Sequence, residues 1–204
     1  MSRSVLLLVL FSVISAGSAW AATAEPLSYV ITIEKIELSK DGGATYATLA
    51  SGNRSFTIRS TNASGDIISD YTSGARVEDG EYNALRLTMS NSIGISGRVL
   101  QNAGLNAGTT FCTGGTTGVA CTPSLVTVTV SNALVVTYGL TVPANTTIVD
   151  ASADIVYIDR SFMASVGSGR QASHRIAFST SSALVIQADD TIHPAVPQIS
   201  LAKN

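Results

Sequence analysis

Apolar residues recur at every second position along most of the chain, which is the period of a half-buried β-strand. In the longest such segment, residues 28–39, Tyr29, Ile31 and Ile33 share one face, whereas Ile36 and Leu38 share the other. A β-bulge at Glu34 and Lys35, or passage of the strand from one sheet to another, explains this change of face. No segment shows a helical stripe of apolar residues.

Three later segments alternate in the same way and predict strands of the core. They cover residues 82–90, 126–130 and 134–140, and the Ser131–Asn132 pair before the last segment predicts a turn. The side chains that we expect to face inward are Leu85, Leu87, Met89, Val126, Val128, Val136, Tyr138 and Leu140.

Short strands are also predicted at residues 45–49, 56–58, 66–71, 93–100, 155–158, 175–180 and 184–186. Between them lie turns such as Asp41–Gly43 and Glu78–Gly80, where glycine permits a positive φ, and a long loop or loose hairpin at 101–123. About ten short strands joined by Gly, Asn and Ser turns predict an all-β fold, an antiparallel β-sandwich of the transthyretin or immunoglobulin type.

The first 21 residues carry the signals of export. Arg3 gives a positive start, residues 5–14 are apolar except for Ser12, and Ala19–Ala21 fits the small-x-small pattern that signal peptidase recognises. This apolar run is too short to span a bilayer. We therefore expect cleavage after Ala21 and a mature chain, residues 22–204, that is one β-sandwich domain, secreted or periplasmic, with no integral membrane segment.

The charge of the chain is low. The formal net charge is -2, and only 13% of residues are charged, against about 25% in a typical soluble domain. Such a chain lacks the basic face that nucleic-acid binding needs. Arg98 is the only charged residue between Arg86 and Asp150. An uncharged strand such as 124–131 is either internal or has an edge that pairs with another chain, so possible partners are a second copy or other envelope proteins.

Two cysteines and three glycosylation sequons carry limited information. Cys112 and Cys121 are the only cysteines, and in an exported chain we expect them to form a disulfide rather than a redox or metal site, because their spacing is not C-x-x-C. The sequons at Asn53, Asn62 and Asn145 matter only in a eukaryotic source.

No pattern of residues predicts catalysis, and no cofactor is expected. Ser96 and Ser168 lack a nucleophile elbow, and neither His174 nor His193 has the close partner that zinc sites show. His193 could join the nearby Asp189–Asp190 pair. On an extended strand, Asp150 and Asp154 would face the same way but lie about 13 Å apart, too far to share one ion. The weak metal candidates are the carboxylates Glu78, Asp79 and Glu81, which could hold calcium in a turn.

The first third of the mature chain resembles a bacterial family. Residues 29–38, the Asp41–Gly43 turn and residues 44–49 are similar to the opening of secreted prealbumin-like domains of unknown function, and residues 77–87 resemble their Gly-x-Tyr hairpin. The resemblance covers residues 28–90. It implies a transthyretin-like sandwich and no particular activity, because Gly80 would serve a turn and Tyr82 a cross-strand contact.

Two functional hypotheses remain open. In the first, the chain is an exported, non-catalytic β-sandwich with a structural, adhesive or assembly role at the envelope or outside the cell. In the second, it is a small-ligand or calcium-binding module that uses the carboxylate turn at residues 78–81. An enzyme would need a polar pocket that the sequence does not disclose.

Export makes a direct prediction about the mature N-terminus. Protein purified from its native envelope should begin at Ala22, because signal peptidase cuts after a small-x-small sequence. Intact-mass spectrometry checks this, and a chain that retains Met1 would refute export by this route.

Overall fold

The computed structural model describes residues 22–59, 77–101, 106–138, 140–166, 174–186 and 190–203. These residues are mostly in antiparallel strands, so the fold is all-β and sandwich-like, as the alternation predicts. The elements are β1 (Ala22–Ala24), β2 (Ser28–Ser39), β3 (Ala47–Ile58), β4 (Gly80–Tyr82), β5 (Ala84–Ser90), β6 (Ser92–Ser96), β7 (Arg98–Leu100), β8 (Thr110–Cys112), β9 (Val126–Thr129), α1 (Asn132–Tyr138), β10 (Thr146–Val149), β11 (Asp154–Asp159), β12 (Ala164–Val166), β13 (His174–Ser179), β14 (Leu184–Ile186), β15 (Ile192–Pro194) and β16 (Gln198–Lys203).

Strand β2 is the centre of the large sheet. It pairs with β3 along one edge, and with β5 and then β6 along the other. Beyond β5 lie β11 and β10, whereas β9 lies beyond β6. Asn91, between β5 and β6, is buried; its amide donates to the Ala153 carbonyl, and its carbonyl accepts from the Val130 amide. Asn91 therefore links the β11 side of the sheet to the β9 side.

The predicted bulge in β2 is present. The register of β2 with β5 shifts between Ile33 and Lys35, which leaves Glu34 as the extra residue. The register with β3 shifts at the same point, but there the additional residue lies on β3. Tyr29 and Ile31 before the shift, and Ile36 and Leu38 after it, are all buried. The bulge thus keeps the apolar residues of both halves of β2 on the core side.

Smaller sheets lie across the core from the large one. They are formed by β1, β14 and β15, by β4 and β12, by β7 and β8, and by β13 and β16. Side chains such as Phe111, Phe178 and Leu184 join the residues of β2 and β5 in one hydrophobic cluster. The buried Tyr29 hydroxyl donates to the Ala195 carbonyl at 2.7 Å, which links the centre of the large sheet to the segment after β15.

Part of the predicted core is confirmed. Leu85, Leu87 and Met89 are all buried. Val126 and Val128 face the same side as Ile95 and Ile93, their partners on β6, but are only partly buried because β9 ends the sheet.

The predicted strand at 134–140 is wrong, because residues 132–138 form helix α1. Ser131 caps this helix, since its hydroxyl accepts the Leu134 amide at 3.1 Å and its carbonyl accepts the Val135 amide. The turn predicted at Ser131–Asn132 is therefore the start of a helix. Leu134 and Tyr138 are four residues apart, a spacing that fits a helical face as well as a strand face.

Because residues 132–138 form a helix, the side chains of segment 134–140 that face the core differ from the predicted ones. Val135 packs against the core, whereas Val136 is 82% exposed and does not belong to it. Tyr138 is partly buried, and Leu140 is buried in a small cluster with Val185 and Ala195.

Other predictions divide between confirmed and corrected. Segments 45–49 and 56–58 belong to one strand, β3, instead of two. Segment 101–123, predicted as a long loop or loose hairpin, contains strand β8, which pairs with β7 just before the segment. Segment 66–71 lies outside the described residues.

A matched pair of substitutions tests the corrected core. Val130 is fully buried, whereas Val136 is exposed on α1. We expect Val130→Ala to lower the free energy of unfolding by about 2 kcal/mol, from lost apolar burial and a residual cavity. Val136→Ala should change it by less than about 0.5 kcal/mol. Denaturant titration measures both, and equal losses would contradict the helix.

Candidate functional site

The proposed calcium turn is bound to a lysine. The Lys40 ammonium lies 3.5 Å from Glu78 Oε2 and donates to the Asp79 carbonyl at 3.0 Å. Glu81 accepts a hydrogen bond from the Ser165 hydroxyl on the paired strand β12. The three carboxylate residues are thus held by different contacts. In the described part of the chain, no group of three or more His, Cys, Asp or Glu residues could hold a metal ion.

Gly80 has the positive φ that the sequence predicts, +145°, but it begins strand β4, and the chain only bends at Asp79 instead of forming the predicted tight turn. A Cβ atom there would lie 3.1 Å from Lys40 Cε and Nζ. Glycine is therefore needed both for the backbone angle and for the approach of the lysine.

The turn after β2 is stiffened by Asp41. Its carboxylate accepts from the Ser39 hydroxyl at 2.6 Å and from the hydroxyl and amide of Thr45 at 2.6 and 2.9 Å. These hydrogen bonds hold the pKa of Asp41 well below its ordinary value. The Gly42 amide donates to the Asn83 side chain at 2.7 Å, so the turn is also bound to the β4–β5 connection.

A surface cleft of about 210 Å³ opens between this turn and residue 78. Lys40 lies 5.1 Å from the centre of the Tyr82 ring, and the Tyr82 hydroxyl donates to the Glu78 carbonyl. The Tyr46 hydroxyl is buried and has no hydrogen-bond partner among the described residues. The lining residues are Leu38, Lys40, Thr45, Tyr46, Ala47, Glu78 and Tyr82.

An ion pair between buried Glu37 and half-buried Arg86 lies beside the cleft. Arg86 Nε is 2.6 Å from Glu37 Oε2, Lys35 Nζ is 3.5 Å from Glu37 Oε1, and the guanidinium packs 4.1 Å from the centre of the Tyr46 ring. Desolvation raises the pKa of Glu37, but the hydrogen bond and charge of Arg86, with Lys35, outweigh it and lower that pKa. Glu37 and Arg86 are register partners on adjacent strands, so this cluster ties β2 to β5.

The bulge brings two carboxylates together. Glu34 lies beside Asp154, which is paired with Ser90 on the neighbouring strand β5. Desolvation and the charge and hydrogen bond of Asp154 raise the pKa of Glu34.

The remaining chemical candidates are dispersed. His193 stacks on Tyr138 with ring centroids 4.0 Å apart, and its Nε2 is 2.7 Å from the Thr191 hydroxyl. Asp190 accepts a hydrogen bond from Asn106. Ser96 lies on β6, and His174 begins β13. Ser168, Asp189 and Asn62 lie outside the described residues. Asn53 and Asn145 are both exposed.

The pairing predicted for the cysteines is present, with 2.03 Å between the Cys112 and Cys121 sulfurs. The Thr113 hydroxyl and amide donate to the Ser124 and Gly97 carbonyls, and the Ser124 amide donates to the Thr113 carbonyl. The disulfide loop therefore fixes the segment that leads into β9.

Asp150 has a role that the sequence did not indicate. It lies in the turn after β10, not on one extended strand with Asp154, and its carboxylate accepts the Asn132 amide at 3.1 Å at the start of α1. The Asn132 side chain in turn donates to the Ile148 carbonyl at 3.0 Å.

The large sheet ends at β3 on one side of β2 and at β10 and β9 on the other, and these last two ends differ. The Ile158 amide donates to the Asn145 carbonyl, so Asn145 bonds toward β11. Bonding direction alternates along a strand, so the amides and carbonyls of Thr146 and Ile148 point away from β11. Of these two amides and two carbonyls, two are bound. The Thr146 amide donates to the Pro143 carbonyl, and the Ile148 carbonyl accepts from the Asn132 side chain. The edge of β10 is therefore partly closed.

Strand β9 has an open edge. The Val130 amide donates to the Asn91 carbonyl, so Val130 bonds toward β6. The register between β9 and β6 is unbroken, and bonding direction alternates along a strand, so Val126 and Val128 also bond toward β6. Thr127 and Thr129 consequently direct their amides and carbonyls away from the sheet. No described residue accepts or donates to these groups, and both side chains are exposed.

Comparisons with known proteins identify no relative. No protein-family model matches the chain, and neither a curated protein nor a solved structure matches it significantly. In the described part of the structure, no helix is long and apolar enough to cross a membrane.

The Glu34–Asp154 contact predicts a pH-dependent stability. The pKa of Glu34 is higher in the folded chain than in the unfolded chain. The stabilisation that results is fully present at a pH below the unfolded-state pKa, and it is lost as the pH rises through the folded-state pKa. Glu34→Gln should therefore raise the melting temperature at pH 7 and leave it unchanged near pH 3, below the ordinary pKa of about 4.3.

Thermal denaturation at the two pH values measures this difference. Glu25→Gln, at an exposed site before β2, is the matched control and should have little effect at either pH. A Glu34→Gln protein that melts like the wild type at pH 7 would contradict the prediction.

Proposed function

We propose that the protein is an exported, non-catalytic β-sandwich with a structural, adhesive or assembly role at the cell envelope or outside the cell. The observation that supports this is the edge of β9, which is β-branched, uncharged and open. Exposed edges that lack charge, proline or a covering element offer unpaired backbone groups to another chain.

The polar clusters support the proposal indirectly. The ionic side chains around the turn at residues 39–45 bind one another or nearby backbone: Lys40 binds Glu78, Arg86 binds Glu37, and Asp41 binds Ser39 and Thr45. Side chains engaged in this way hold the β2–β3 turn against the segment that contains β4 and β5. Their arrangement is typical of a structural contact.

The disulfide supports the proposed compartment. Disulfides persist in oxidising environments such as the periplasm and the extracellular space, and the Cys112–Cys121 bond is compatible with them. The resemblance of residues 28–90 to secreted prealbumin-like domains stays a prediction, and it would place the protein in the same setting.

A small-ligand module is the second candidate. The observation in its favour is the cleft beside Tyr46, whose lining includes the charged residues Lys40 and Glu78 and two tyrosines. The calcium form of this hypothesis has less support, because Glu78 is already paired with Lys40 and Glu81 with Ser165.

Assembly of the mature protein tests the main proposal. Chain 22–204, purified without its signal peptide, should self-associate as its concentration rises, and electron microscopy should show ordered particles. Light scattering coupled to size-exclusion chromatography measures the mass, and calcium addition is the control. A strict monomer whose melting temperature rises sharply with calcium would favour the binding module instead.

A further inference from the structure

The sequence of the open edge is a palindrome. Residues 126–130 read Val-Thr-Val-Thr-Val and are symmetric about Val128. When two antiparallel copies pair about a two-fold axis at Val128, residues 127 and 129 meet as Thr–Thr pairs and residues 126 and 130 meet as Val–Val pairs. Matched pairs of β-branched residues on both faces stabilise a sheet.

The backbone alternation has the same symmetry. Thr127 and Thr129 point their amides and carbonyls outward. Thr127 would pair with Thr129 of the second copy, and Thr129 with its Thr127, and each pair would form two hydrogen bonds, four in all. Val128 bonds inward to β6 and would lie opposite its own copy as a non-hydrogen-bonded pair. An interface of this kind is isologous, because both chains contribute the same surface.

Charge does not oppose this contact. Residues 124–131 carry no ionisable side chain, so two copies can approach without like-charge repulsion. Leu125, beside the edge, is 60% exposed and would lie opposite Ser131 of the second copy, where part of its apolar surface would be covered.

The β10 end of the sheet argues against head-to-tail pairing of β9 with β10. A contact of β9 with β10 of the next copy would repeat and produce an open filament. The edge of β10 is partly bound by Asn132 and by the Pro143 turn. Asp150 follows it directly. The open, neutral and palindromic edge is thus β9, and its best partner is itself.

We propose that β9 pairs antiparallel with β9 of a second copy of this chain about a two-fold axis at Val128, which joins two large sheets into one. This inference rests on the assembly function proposed above and names its contact. The dimer is the unit from which any larger assembly would be built.

Charged variants of the mature chain test the contact. Thr127→Lys with Thr129→Lys places two lysine pairs across the axis, and we expect the dissociation constant to rise at least tenfold. Thr127→Lys with Thr129→Glu places each lysine opposite a glutamate, and we expect association to be restored. Thr122→Lys, in the exposed loop before β9, is the control and should associate like the wild type. Sedimentation velocity measures all four proteins.

A cysteine at the axis gives an independent readout. The native cysteines are paired, so Val128→Cys introduces one free thiol, which should meet its own copy at the short Cβ separation of a non-hydrogen-bonded pair. Oxidation should give a disulfide-linked dimer, whereas Thr122→Cys should not cross-link at a comparable rate. Circular dichroism confirms that each variant is folded.

Two results would overturn the contact. If the wild type associates but the double-lysine variant associates equally well and the Val128→Cys variant does not cross-link, the two-fold at β9 is wrong while the assembly function stands. If the folded wild type stays monomeric at every concentration and the Val128→Cys variant does not cross-link, both the contact and self-assembly are wrong.

Discussion

The pairing of β2 along both of its edges is the constraint on which the rest of the structure depends. A strand hydrogen-bonded on two sides fixes the register of its neighbours, and a slip of one residue would turn every apolar side chain to the other face. The bulge at Glu34 lets Tyr29 and Ile36, which have opposite parity, both reach the core. Its cost is a carboxylate beside Asp154. Strand β5 pairs with one half of β2 and β6 pairs with the other half. Asn91 separates β5 from β6, so β11 lies beyond the first half of the sheet and β9 lies beyond the second.

Alternation predicted these central strands because burial on one face imposes a period of two. It predicted Leu85, Leu87 and Met89 in the core and the bulge in β2, since both are visible in one strand alone. It failed at 134–140, where Leu134 and Tyr138 fit a helix and a strand equally well. The deciding contacts are the Ser131 cap and the bond from Asn132 to Asp150, eighteen residues away along the chain. A sequence read without its tertiary partners cannot show such a bond.

The candidate sites were harder to foresee, because their meaning depends on which strands become neighbours. The carboxylates at 78–81 look like calcium ligands until Lys40, far away in sequence, is placed beside them. Glu37 and Arg86 each lie opposite the apolar row of a predicted strand, but only the pairing of β2 with β5 brings them together. The edge of β9 was foreseen only as one of two possibilities, because whether a strand is internal or terminal depends on the topology of the whole sheet.

Charge is distributed unevenly along β2, and this bears on what the fold can do. The end that includes Lys35, Glu37 and Lys40 is tied to its neighbours by ion pairs, whereas the described residues at the end beside β9 form none. There the disulfide takes over, because the Cys112–Cys121 loop binds Ser124 and so holds the entry to β9 in place. A pre-organised edge loses less conformational entropy when a second chain docks. Formation of this disulfide would thus do more than stabilise the fold by about 2 to 3 kcal/mol. It would also fix the geometry of the strand through which we propose the chains pair.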